Sequence, residues 1–420
     1  MLETLRNVWK VEELRKKLIY TFLMLLLYRL VGMIPVSGIN AEVVAEMANT
    51  YDMLGLINMM TGSAFSQMTV MAMGISPYIN ASIIMQLLTV ALPALERLQK
   101  EGGEEGKKKI QRITRYVTVG LAVVQAIGLV ASLGYIKAGW FNTLLVGVSM
   151  AGGTALAMWI GERITEKGIG NGISLLIFVG IISNMFNGIS SMIASAFSAT
   201  SLIPWLQLAA MILIILVMVV LVTFVDLGVR RINVNYAKRV SGRKMFGGQN
   251  SVLPLKVISV GVLPLIFAYS FMAFPGTIIQ LVGGANSAAA IWWSQYMNQF
   301  SPLYLIVTAL LIIAFTYFYS SISFQPDEMA KNIQQQGGAI PSVRPGKPTA
   351  DYLARVNNRL ILFAALFLAV LATVPTLLTL LLRVQLPFAA SSMLIAVSVV
   401  LETKRQLDDL LVSRNYDSIS

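Results

Sequence analysis

The chain has 420 residues, of which 56% are hydrophobic and only 12% charged, with a mean hydropathy of +0.72 and a net charge of +12. Soluble domains carry about 25% charged residues, so a fully water-exposed surface is excluded and the composition belongs in a lipid bilayer. Cysteine and histidine are both absent, which excludes disulfides, thiolate and imidazole metal sites, Ser-His-Asp triads and histidine proton relays.

A spanning helix needs about 20 predominantly apolar residues. In chain order that length predicts ten spans, at 17–36, 74–93, 117–134, 142–160, 173–191, 207–227, 257–275, 302–322, 360–380 and 387–401. Residues 1–16 precede them as a basic segment. The first apolar run is long and has no small-x-small cleavage site, so it reads as a retained helix rather than a cleavable signal.

Between the first two spans, residues 37–73 are too polar and too broken by glycine to cross. The centre of this stretch is semi-apolar and rich in Met, with Met53, Leu54, Leu56, Ile57, Met60, Gly62 and Phe65 along it. A short helix here must lie at the surface or re-enter the membrane. Irregular backbone at membrane depth is tolerated only where protein buries it or a water cavity meets it. The residues alone leave both readings open, an interfacial loop outside or a mobile element in a cavity.

Lys and Arg fix the orientation, because loops that stay in the cytoplasm carry them in excess. On the ten-span reading, 29 of the 32 basic residues fall on one side, and the exceptions are Arg29, Lys137 and Arg383. A span missed or invented in mid-chain would scatter them, so both termini are expected in the cytoplasm. Five spans per half force the halves into opposite orientations, as in inverted repeats that build a site at their interface. The expected divisions are an N-terminal half at 17–191, an external hinge at 192–206, a C-terminal half at 207–401 and a cytoplasmic tail at 402–420.

Two basic loops, 228–256 and 323–359, are longer than anchoring to lipid headgroups requires. Their charges include Arg230, Arg231, Lys238, Arg239, Arg243 and Lys244 in the first, and Arg344 and Lys347 in the second. Val343-Arg-Pro-Gly346 sets a fork-shaped donor on a turn stiffened by Pro345 and released by Gly346. These loops read as docking surfaces for a partner; plain positive-inside anchors are the alternative.

The span interiors hold almost no ionisable groups, although transporters usually keep them at the midplane. Arg29 lies in the outer half of the first span, as a pore charge, a snorkelling side chain or a partner of helix-end carbonyls. Asp226 closes the sixth span at its edge. No P-loop, GxSxG or HExxH motif is present, so no catalyst and no cofactor is expected. What the spans offer is aliphatic: Ile75 and Ile79 share one helical face, as do Ile173 and Ile177. On pattern alone such pairs are ordinary core or lipid-facing sequence.

Several strings single them out. Gly74-Ile-Ser-Pro-Tyr-Ile-Asn-Ala-Ser-Ile-Ile-Met-Gln-Leu-Leu88 resembles the second helix of the SecY family of protein-translocation channels. Gly161-Glu-Arg-Ile-Thr-Glu-Lys-Gly-Ile-Gly-Asn-Gly-Ile-Ser174 resembles that family's turn from fourth to fifth helix. Arg230-Arg-Ile-Asn-Val-Asn-Tyr-Ala-Lys-Arg239 with Pro254-Leu-Lys256, and Val343-Arg-Pro-Gly-Lys-Pro-Thr349, resemble its two large cytoplasmic loops. The likeness runs from about residue 10 to Tyr416 in a bacterial form. It departs at Ala389-Ala-Ser-Ser392, where relatives are often Gly-rich.

The resemblance implies an all-α integral membrane fold: ten transmembrane helices in two inverted five-helix halves around a central pore, with a short re-entrant plug helix at 53–67. It implies a pore ring at Ile75, Ile79, Ile173, Ile177, Ile266 and Ile395. It also implies a lateral gate between helices two and three on one side and seven and eight on the other, where Asn80 and Gln125 are uncharged polar groups among apolar neighbours. The implied partners are SecE, SecG, the ATPase SecA, ribosomes with their RNA, signal-sequence-bearing polypeptides and membrane lipids. An aliphatic ring without specific contacts suits a conduit for varied chains, because it dewets when empty and yields when a chain enters. The competing reading is an inverted-repeat secondary transporter of a small solute.

Overall fold

The computed structural model describes residues 9, 11–36, 61–100, 102–132, 139–198, 202–236, 239–241, 244–246, 250–259, 261, 263–283, 287–298, 301–382 and 390–417. Helices dominate. Each segment expected to span falls on a helix of its own: α1 (Glu12–Val31), α2 (Ser76–Ala91), α4 (Gly103–Ser132), α5 (Gly139–Lys167), α6 (Gly172–Ser198), α7 (Ile203–Asp226), α8 (Leu263–Gly283), α10 (Pro302–Ser323), α12 (Lys347–Leu382) and α13 (Ala390–Asp417). Short helices α3 (Pro93–Lys100), α9 (Ala288–Tyr296) and α11 (Pro326–Gln335) lie between them. Among the described residues, five helices are by length and composition apolar enough to cross a membrane singly, and the bent pair of α2 with α3 passes the same test only when taken together. Large apolar side chains such as Leu213, Leu216, Val220 and Phe224 on α7 point outward uncovered, which water would penalise and lipid does not.

Local chemistry sets the boundaries. Leu92 is extended at φ −105° and ψ 113° because it precedes Pro93, and the chain bends there by 101°. At α10, the Ser301 hydroxyl accepts from the Tyr304 amide at 3.2 Å with Pro302 in the first turn. The expectation for α1 was 17–36, but the helix stops at Val31. Gly32 and Pro35 end it, and the chain then bridges to the returning segment. The Val36 amide donates to Met68 at 2.9 Å and the Val70 amide to Ile34 at 2.9 Å. Gly153 of α5 seats this segment, since a Cβ there would strike the Val70 carbonyl.

The departure from an all-helical chain lies in the two long basic loops. Strand β1 (Val229–Tyr236) pairs antiparallel with β4 (Asn250–Lys256), with Ile232 opposite Leu253, and with β5 (Gly338–Ala339), with Asn235 opposite Ala339. Strands β2 (Arg239–Ser241) and β3 (Lys244–Phe246) form a separate hairpin. Ile232, Val234 and Leu255 of the sheet pack with Ile333 of α11, Ile340 and Leu353 of α12. The two loops, expected as docking surfaces, pack together as one structural unit.

Candidate functional site

The first site motif begins with a turn that only glycine enters easily. Gly74 has φ +51°, and a Cβ there would sit 2.8 Å from Thr61 Cγ2. Pro77 then opens α2, and the Ile79 amide donates to the Ile75 carbonyl at 3.1 Å. This first turn stacks Ile75 and Ile79 on one face.

The second motif is a hydrogen-bonded turn between α5 and α6. Thr165 Oγ1 donates to the Gly161 carbonyl at 3.0 Å and accepts from the Gly172 amide at 2.9 Å. Asn171 Oδ1 accepts from the Ile173 amide at 3.1 Å and from Ser174 at 3.3 Å, capping α6. Gly170 turns at φ +85°, and Gly172 lies so close to the Gly161 carbonyl that a Cβ would overlap it. Thr21 of α1 accepts from the Ile169 amide at 3.0 Å and anchors the turn. Ile169 itself packs with Leu14 of α1 and Leu407 of α13. So held, α6 presents Ile173 and Ile177 along one face.

These residues meet. Ile75, Ile79, Ile177, Ile266 of α8 and Ile395 of α13 are each less than 10% exposed and belong to one apolar cluster, with Ile173 packed against it. The cluster also takes in Tyr28 of α1, Ala64 and Met71 of the returning segment, and Phe267 of α8. Four helices from both halves of the chain therefore bring the six Ile together at one apolar cluster.

The segment expected as a re-entrant helix is seen only in part. Met53, Leu54, Leu56, Ile57 and Met60 lie outside the described residues; from Gly62 to Ile75 the backbone runs in turns. Phe65 is fully buried, but with Met68, Val130, Val146 and Met150, between α4 and α5 rather than among the six Ile. Gly62 adjoins Arg29 and Gly180. Sequence reasoning left Arg29 among three roles; here Nη1 donates to the Gly62 carbonyl at 3.2 Å and Nη2 donates to Ser183 Oγ. Ser183 itself was missed. Its signal was a polar Ser183-Asn184 pair within an apolar run.

Asn80 and Gln125 are half-buried on α2 and α4, which pack together. Helix α8 reaches both α2 and α4. It joins α10 through edge-to-face contacts of Phe267 with Phe315 (6.1 Å) and Tyr319 (6.0 Å). Gln86 of α2 was not anticipated; its Oε1 is buried without a partner among the described residues.

On the sheet unit, Arg230, Arg231, Arg344 and Lys347 are exposed. The Thr349 hydroxyl donates to the Arg344 carbonyl at 2.8 Å, between Ser342 at φ +66° and Gly346 at φ +93°. Arg239 and Lys244 lie on β2 and β3, whereas Lys238 and Arg243 fall outside the described residues.

The profile of the SecY family matches residues 69–404. The chain is 40% identical over 438 residues to the protein translocase subunit SecY of Streptomyces galbus, covering 99% of each chain. It is 39% identical over 430 residues to that of Halalkalibacterium halodurans, again 99% of each. Among solved structures, the fold resembles a protein-conducting channel with TM-score 0.72 at 21% identity, covering 96% of this chain and 94% of that one. It also resembles Sec61 in the canine ribosome-channel complex from the endoplasmic reticulum, with TM-score 0.68 at 20% identity over 96% and 94%. These two likenesses concern fold alone. On the profile and on 40% identity across 99% of its length, the chain belongs to the SecY family.

Proposed function

We propose that the chain is a protein-conducting channel subunit in a bacterial cytoplasmic membrane. It passes secretory polypeptides across the membrane and releases apolar helices sideways into lipid. One observation carries the reading: six Ile side chains from four helices close on one another in a single apolar cluster, with the returning segment packed against them. Such a constriction excludes ions by staying dry, and it offers a passing chain no specific contact to hold it.

The rest of the reading follows from that centre. Ten helices span, both termini face the cytoplasm, and the halves meet at the ring with their external hinge at 192–206. Residues 53–67 form the plug on the external side. Helices α2 and α4 part from α8 and α10 as the lateral gate. Having no catalyst of its own, the channel takes its energy from partners. The sheet unit with Arg230, Arg231, Arg344 and Lys347 is the docking surface for SecA or the ribosome, with SecE and SecG completing the complex. The Sec61 relative is known from a ribosome-channel complex, which supports the ribosome among these partners.

The test is reconstitution with SecE and SecG in vesicles. Precursor should become protease-protected only when SecA and ATP are added. Uptake of a small solute without any partner, and no precursor protection, would overturn the channel reading in favour of a transporter.

A further inference from the structure

A cation at membrane depth is costly unless its donors are occupied. Arg29, half-buried in the last turn of α1, places one donor of each terminal nitrogen on the Gly62 carbonyl and the Ser183 hydroxyl. One residue further on, Ser63 Oγ donates to Asn184 Oδ1 at 2.7 Å. The backbone is bent to make this fit. Gly62 and Ser63 are both left-handed, at φ +67° and +69°, and a residue other than glycine in that region must be held there by its surroundings. A Cβ on Gly62 would overlap the Arg29 guanidinium and stand 3.2 Å from Gly180 Cα.

We propose that Arg29 is a positioning residue of the closed channel: with Ser183 and Asn184 it latches the turn at Gly62–Ser63 onto α1 and α6. The proposal rests on the channel reading above. Every partner in the latch belongs to the N-terminal half. Parting the two halves therefore leaves the latch whole, and release of the returning segment is a second, separate step. In dry surroundings bonds to a charged group are strong, and they weaken once water competes. The latch thus favours the closed state while the external side is sealed. It gives way when an entering chain or its water reaches the Gly62 carbonyl.

The experiment uses the full complex in vesicles, reading resting ion leak and translocation of a precursor with a weakened signal sequence. Arg29→Gln should raise both roughly tenfold, the scale of losing hydrogen bonds to a charged group. Ser183→Ala and Ser63→Ala should raise them less. Arg29→Lys should fall between wild type and Arg29→Gln, because one ammonium cannot reproduce a planar fork. Protein amount and thermal midpoint are followed alongside. If Arg29→Gln is poorly inserted, a second test decides. With no cysteine in the chain, Ser63→Cys with Asn184→Cys, joined by a reductant-cleavable crosslinker, should stop translocation until reduced. Wild-type translocation with unchanged leak in well-inserted Arg29→Gln, or normal export through the crosslinked pair, overturns the latch alone. A wild-type complex that translocates nothing overturns the channel reading and the latch with it.

Discussion

Arg405 of α13 donates through Nη2 to the Asp226 carboxylate at 3.0 Å and to the Asp226 backbone carbonyl at 2.8 Å. This ties the end of α7 to α13 where the chain leaves for the sheet. The pair is largely covered, with side-chain exposures of 31% and 10%. Removing one partner of a covered pair leaves the other charge without compensation. Arg405→Ala should therefore lower stability by about 1–3 kcal/mol, seen as a lower thermal midpoint of the solubilised complex. Asp226→Ala in the Arg405→Ala background should cost little more. An additive double mutant would show that the two do not act as a pair.

The α5–α6 turn makes a sharper comparison between two glycines. At Gly172 a Cβ would run into the Gly161 carbonyl and lie 2.8 Å from Ile164 Cβ, whereas at Gly120 of α4 nothing lies within 4 Å. Gly172→Ala should cost about 1–3 kcal/mol by overpacking and displace Ile173 with it. Gly120→Ala should be neutral or stabilise by about 0.5–1 kcal/mol. Thermal midpoints of the two variants check the difference, and equal midpoints would count against the tight turn.

Arg344 stands exposed on a turn whose carbonyl Thr349 fixes, within the sheet unit that gathers both basic loops. Reversing its charge should leave the fold alone and disturb only what docks there. Arg344→Glu should reduce SecA- or ribosome-dependent translocation at least tenfold, the scale of losing a charge-assisted contact in a docked interface. Membrane insertion and thermal midpoint should be unaffected. Normal translocation by this variant would remove the docking role.

The lateral seam predicts a graded effect. Asn80 and Gln125 are half-buried polar groups on the two helices that α8 covers. A hydrogen bond between membrane helices contributes about 0.6 kcal/mol on average, so either side chain can exchange one with an entering helix without fixing the fold. Asn80→Leu and Gln125→Leu should shift the hydrophobicity a signal sequence needs for entry, scored with a graded series of signals. An unchanged threshold in both would make them simple packing residues.

What the sequence displayed and what it hid follow from the range of the interactions concerned. The helical segments were legible because each contains an apolar run, and the Ile pairs because helical spacing puts them on one face. The sheet was hidden. Val229–Tyr236 alternates, yet half its residues are charged or amide, and β5 is two residues arriving from a hundred positions away. Phe65 was grouped with its neighbours in sequence, but a left-handed turn at Gly62 and Ser63 carries it toward α4 and α5 instead. The Gly62 carbonyl as a partner of Arg29 was hidden for a simpler reason. A backbone carbonyl has no letter in the sequence, and what aims it at the guanidinium is a pair of dihedral angles.

The ring itself gives the most direct test. Ile75, Ile79, Ile177, Ile266 and Ile395 are buried in one apolar cluster, and Ile173 packs on it. A narrow apolar passage blocks ions by dewetting, and a polar side chain offers water a foothold. Replacing Ile79, Ile177 and Ile266 together with Ser should raise resting ion leak at least tenfold in vesicles, whereas Val or Leu at the same places should leave it near wild type. The same positions should touch a passing chain. Single Cys replacements at each of the six, in a chain that has no cysteine, should crosslink to a stalled polypeptide. Ile182, which is exposed on α6, should not, although it lies only five residues from Ile177. Helix α6 thereby supplies its own control, since depth and local structure are shared and only the facing direction differs. Equal crosslinking at Ile177 and Ile182 would mean that the polypeptide does not pass through the cluster, whatever the leak measurements gave.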